Sequence, residues 1–180
     1  MKLDAHQSIL LLVDLQERLL PAIDQGDQVL EHCAWLIGVA RALQVPVLLT
    51  EQYPQGLGGT APVISQRIQP AERLEKTHFS AVAEGNLLDH PAAQRQQWVV
   101  CGTESHVCVQ QTVLDLLAAG RAVSVVEEGV GSRQPRDKQL ALKRMRLAGA
   151  QIVSREMVAF EWLGKADTPA FRTVLQQFIR

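Results

Sequence analysis

The chain has 180 residues, 47% of them hydrophobic and 21% charged, which suits one globular domain with a sizeable core. A formal net charge of -1 leaves no electrostatic footprint for nucleic acid or an anionic membrane. The apolar run Ile9 to Val13 is too short to span a bilayer, and Met1-Lys2-Leu3-Asp4 does not open a secretion signal, so a cytoplasmic location is expected.

"SILLLVDLQ" (8–16) is an unbroken aliphatic run, the pattern of a strand buried on both faces. From Asp24 to about Leu43, Val29, Leu30, Cys33, Leu36, Ile37 and Ala40 recur at helical spacing. "VPVLLT" (45–50) is the next strand, followed over 52–71 by a Gly- and Pro-rich stretch that reads as a long irregular loop. "RLEKT" (73–77) is a short strand candidate. "QWVVCG" (97–102) is a strand, 106–119 a helix closed by Gly120, and "AVSVVEE" (122–128) another strand. A helix over 136–148, a last strand "AQIVS" (150–154) and helical segments from about Glu156 and Thr168 complete the chain.

Alternating strands and helices with short connections predict an α/β fold, a mostly parallel sheet of about six strands covered on both faces. Residues 1–180 are read as a single domain. In such sheets ligands bind beyond the carboxyl ends of the strands.

Three residues follow strands in this way. Asp14 would be a partly desolvated carboxylate suited to general base work, or an acceptor for loop amides. Lys76 lies near the end of the third strand; alone it reads as a surface charge. Cys108 sits at the third position of the helix after "VVCGTES", with Ser105 as the expected N-cap. Helix-terminal amides there would lower a thiol's pKa, and the turn offers backbone N–H groups to an oxyanion. Cys33 and Cys101 fit packed core thiols, and an odd number of cysteines argues against a disulfide framework. A base, a cation and a thiol at one crevice are the parts needed for nucleophilic acyl transfer.

Four stretches, "LLLVDLQ" (10–16), "EKTHFSA" (75–81), "VVCGTESHVCVQQTVLDLLAAG" (99–120) and "VEEGVGSR" (126–133), resemble the isochorismatase-like, or cysteine-hydrolase, superfamily. With "TEQYPQGLGGT" (50–60), they look most like its small isochorismatase-domain proteins. The resemblance implies a three-layer α/β/α sandwich and a catalytic set of Asp14, Lys76 and Cys108. It also implies a cis peptide at Thr103–Glu104, and an oxyanion hole made by the backbone N–H groups of Glu104 and Cys108. Gln16, Leu20, Tyr53 and Phe79 are the candidate pocket wall. Relatives that hold a metal do so through an Asp-x-His motif after the second strand, where this chain reads Glu51-Gln52-Tyr53, so neither metal nor other cofactor is expected. Glu128 stands where many relatives have Asp. The function implied is metal-independent hydrolysis of a small amide or related carbonyl compound through a thioester. The alternative is a silent protein of the same fold that binds a ligand or acts as a scaffold. Small-molecule substrate, no nucleic acid, no membrane, and self-association into a homo-oligomer are the expected partners.

Overall fold

A computed structural model describes residues 1–179. The six strands are β1 (Ser8–Val13), β2 (Val47–Gln52), β3 (Arg73–Lys76), β4 (Gln97–Thr103), β5 (Ala122–Gly131) and β6 (Gln151–Val153). They form one sheet in the order β3-β2-β1-β4-β5-β6, with every pairing parallel. The chain therefore builds outward from β1 on one side, then returns to its other side with β4. The switch in strand order lies between β1 and β4, where crevices open in sheets of this kind.

The helices are α1 (Gly26–Ala42), the one-turn α2 (Pro54–Leu57) and α3 (Pro62–Ser65), α4 (Gln110–Ala118), α5 (Pro135–Leu147), α6 (Arg155–Leu163) and α7 (Pro169–Val174). Side chains alternate across a strand, so β1 feeds two separate cores. Leu10 and Leu12 pack with Leu49, Val99 and Cys101 against α1, α6 and α7. Ile9, Leu11 and Val13 pack with Leu48, Val100 and Val125 against α4 and α5. The result is a three-layer α/β/α sandwich. Both faces of β1 are covered, which explains its unbroken aliphatic run. Among the described residues, no helix is long and apolar enough to cross a membrane.

Two local readings of the sequence are corrected. The 52–71 stretch is not irregular throughout: α2 and α3 each begin with Pro at a position where its missing N–H is no loss. The helix expected at 106–119 begins with a π-type turn, Ser105–Val109, before α4.

Gly102 fixes how closely β4 approaches β1. Its φ is +119°, and a Cβ there would meet the Val13 carbonyl oxygen at 2.1 Å, so no other residue fits.

Candidate active site

β1, β3 and β4 end at the same edge of the sheet, and Asp14, Lys76 and Cys108 follow from those ends. Asp14 has φ +50°, a left-handed conformation that Asp tolerates better than most residues. It turns the chain out of β1 while its amide donates to the Thr50 carbonyl at 3.1 Å. Thr103 at the end of β4 donates its hydroxyl to the Asp14 carbonyl at 2.6 Å. The main chain of Asp14 is thus held from both neighbouring strands, and its carboxylate is held as well. Its Oδ1 accepts from Thr50 Oγ1 at 2.7 Å and its Oδ2 from Lys76 Nζ at 2.9 Å.

Lys76 is not the surface charge that its residue type alone suggests; it is 2% exposed. Besides Asp14, its ammonium reaches Gln52 Oε1 at 2.6 Å, Phe79 O at 3.1 Å and His78 O at 3.2 Å. An ammonium has three protons, so these four acceptors satisfy it completely. Gln52 is oriented in turn, because its Nε2 donates to the Thr77 carbonyl at 2.8 Å.

The 77–84 segment that supplies those carbonyls is pinned at both ends. Glu84 Oε2 accepts from the amides of Thr77 and His78 at 3.0 and 2.9 Å and pairs with the His78 ring at 2.7 Å. The His78 amide, the His78 ring and the Thr77 amide bring the Glu84 carboxyl down to about 2. Ser80 donates to Asp115, and the Ala81 amide donates to Thr112 Oγ1. Both acceptors lie on α4, so the lysine segment is tied to the helix that continues from Cys108.

Cys108 lies in the π-type turn and is 6% exposed. Its thiol departs from the sequence expectation. Burial pushes it far above its ordinary value, and the neighbouring Asp14 carboxylate adds to the rise. The Lys76 ammonium opposes both without cancelling them. Desolvation here outweighs the helix terminus, whose effect falls off within one turn.

Thr103–Glu104 is a cis peptide. The Glu104 carbonyl accepts from the amides of Val107 and Val109, and its side chain pairs with Arg133 at 2.8 Å. Ser105 does not cap the helix: the preceding Glu104 occupies the cap position, and the Ser105 hydroxyl has no partner among the described residues. His106 turns away from the thiol toward Ser132, with Nδ1 2.9 Å from its hydroxyl.

Of the expected pocket residues, Tyr53 and Phe79 are half exposed and adjoin Lys76 through their main chains. Gln16 and Leu20 are engaged in main-chain bonds and in packing. Both ends of the Gln16 amide are spent on the Gln52 main chain and the Gly58 carbonyl, which ties down the 52–60 loop. Leu20 is buried in the core on the α1 side. Glu128 accepts from the Arg155 amide at 2.9 Å, so its extra methylene reaches the start of α6. Sequence reasoning missed Thr50, Gln52 and Thr103. The only available signal was a polar residue at the end of each strand next to Asp14 or Lys76. Among the described residues, no three His, Cys, Asp or Glu side chains are grouped to hold a metal ion.

Known proteins share this architecture. The Mus musculus isochorismatase domain-containing protein 2A is 40% identical over 170 residues, covering 94% of this chain and 81% of the relative. The Caenorhabditis elegans MAR1 ribonuclease superposes with a TM-score of 0.91 at 33% identity, over 100% of this chain and 93% of that one. Pseudomonas aeruginosa YcaC, solved with hexane-2,5-diol and covalent acrylamide, gives 0.90 at 25% identity, over 99% and 92% of the two chains. The isochorismatase domain profile matches residues 8–157, and the chain belongs to the isochorismatase family.

Proposed function

We propose that this protein is a cysteine hydrolase of a small amide or related carbonyl compound. The reading rests above all on the buried Asp14–Lys76 pair whose carboxylate and ammonium both act on the Cys108 thiol. Asp14 takes the thiol proton as sulfur attacks the carbonyl carbon. The C–S bond forms, the C=O π bond opens onto oxygen, and the oxyanion receives the backbone N–H groups of Glu104 and Cys108. Collapse expels the amine, which leaves with the proton carried by Asp14. Water then attacks the thioester, giving its proton to Asp14, and releases the acid and the thiol. Lys76 keeps the carboxylate oriented and supports its charge throughout. A thiol that is neutral at rest suits this role, because the proton leaves only when the electrophile arrives.

Tyr53 and Phe79 are placed to flank the entrance in this reading. Cytoplasmic location and self-association belong to it as well; Leu140 and Leu147 on α5, both well exposed, offer apolar surface for a second copy. One observation favours the alternative of a silent binding protein. Asp14, Lys76 and Cys108 are 0%, 2% and 6% exposed, so little of the three meets solvent where a ligand would touch them.

The experiment is an intact-mass screen of small amides for an acyl adduct and released amine, with Cys108→Ala as the control. An adduct absent from the variant is the expected result. Saturable binding with neither adduct nor product would establish the silent protein instead.

A further inference from the structure

Ser105 differs from the other polar side chains packed around the site. It is fully buried, yet its Oγ has no hydrogen-bond partner among the described residues. Asp14, Thr50, Gln52, Lys76 and Thr103 are buried as well, and each is bonded. A buried hydroxyl gains its place by a bond, and one left unmade is disfavoured. The ordinary use of serine at a helix start, accepting from an amide one turn on, is missing here. The other common use, a bond back to a carbonyl of its own helix, is unavailable because the residues before Glu104 belong to β4.

Its position indicates what the hydroxyl is for. Ser105 and Cys108 are both buried members of the same five-residue π-type turn, Ser105–Val109. Ser105 also directly follows Glu104, whose amide faces the oxyanion in the reading above. We infer that Ser105 Oγ is a substrate-contacting donor: it hydrogen-bonds the carbonyl oxygen of the compound attacked by Cys108. It thereby adds a side-chain donor to the two backbone donors. The inference rests on Cys108 being the nucleophile, and it restricts the substrate to carbonyl compounds whose oxygen reaches this turn.

A small aldehyde tests this without knowledge of the substrate. With propanal, the Cys108 thiol adds across the carbonyl: the S–C bond forms, the π bond breaks, and the thiol proton ends on oxygen. The hemithioacetal oxygen then occupies the place of the oxyanion. Reversible protection of Cys108 from methyl methanethiosulfonate, located by peptide mass mapping, reports the aldehyde affinity in wild type and Ser105→Ala. Expected are a protection constant weakened tenfold or more, a labelling rate without aldehyde changed less than twofold, and an unchanged or raised Tm. A merely structural role for Ser105 would lower Tm and spare protection. Equal protection in the two proteins overturns the inference, as does a wild type labelled normally but never protected. A Cys108 that resists the reagent altogether removes the nucleophile reading itself, a distinguishable result.

Discussion

Lys76 Nζ lies 2.9 Å from Asp14 Oδ2, and the two side chains are 1% and 0% exposed. The residues are 62 positions apart in the chain. At such burial an ion pair is weak evidence for stability, because desolvating both charges offsets their attraction. The pair is retained with every proton of the ammonium and both carboxylate oxygens satisfied, and it stands against a thiol. That combination suits chemistry better than it suits stability.

Removing one member of the pair should be costly and removing both less so. Lys76→Met leaves the Asp14 carboxylate with the Thr50 hydroxyl as its remaining side-chain partner, and a broken buried pair costs about 3–5 kcal/mol. Asp14→Asn should destabilise through the stranded ammonium. The double variant should cost less than the sum, with a coupling of about 0.5–3 kcal/mol. Urea midpoints for the four proteins check this; strictly additive losses would contradict the coupling.

Asp14→Asn should also separate thiol ionisation from turnover. The carboxylate helps to hold the Cys108 thiol up, so its removal brings ionisation to lower pH. Acylation nevertheless loses its base, a loss of about 10²–10⁴-fold. The pH profile of Cys108 alkylation, beside the acylation rate with any amide the wild type accepts, gives the two trends. A variant that ionises more easily and also acylates faster would falsify the role given to Asp14.

Stability should fall in alkali through the buried thiols. Burial raises Cys108, and the bonded Cys33 thiol together with burial raises Cys101. An unfolded thiol ionises near pH 8.5, so above about that pH the unfolded chain sheds protons that the folded chain keeps. Stability from these thiols is therefore full below about pH 8.5 and declines above it, by about 1.4 kcal/mol per pH unit for each thiol. Urea unfolding at rising pH should show a shallower decline for Cys108→Ala than for wild type. Parallel curves would mean that Cys108 ionises as readily folded as unfolded.

Gly102→Ala should be among the most damaging single substitutions. The added methyl would overlap the Val13 carbonyl, in a conformation that L residues rarely adopt. Neither strand can yield without parting β1 from β4, so a loss above about 4 kcal/mol is expected. Soluble yield and the urea midpoint report it, and a midpoint near wild type would show that the two strand ends can separate.

The sequence by itself determined the layers and the parts. The apolar runs at 9–13 and 98–101, and the helical spacing from Val29 to Ala40, depend only on residues a few positions apart, and they appear where periodicity places them. Asp14, Lys76 and Cys108 stood out as candidates because each lies at or after a strand end, and strands of a parallel sheet end at one edge. Their partners were not legible. Gln52 lies 24 residues from Lys76 and Thr50 lies 36 from Asp14, and no local pattern announces bonds of that reach. The thiol was misjudged for the same reason. A helix start is visible in the sequence, whereas the packing that strips water from Cys108 comes from the whole fold. Likewise Ser105 has the residue type of a cap, but Glu104 holds the cap position and the Ser105 hydroxyl has no partner among the described residues. Periodicity is a property of neighbours in the chain; desolvation and hydrogen-bond satisfaction are properties of neighbours in space, so only the tertiary structure decides them.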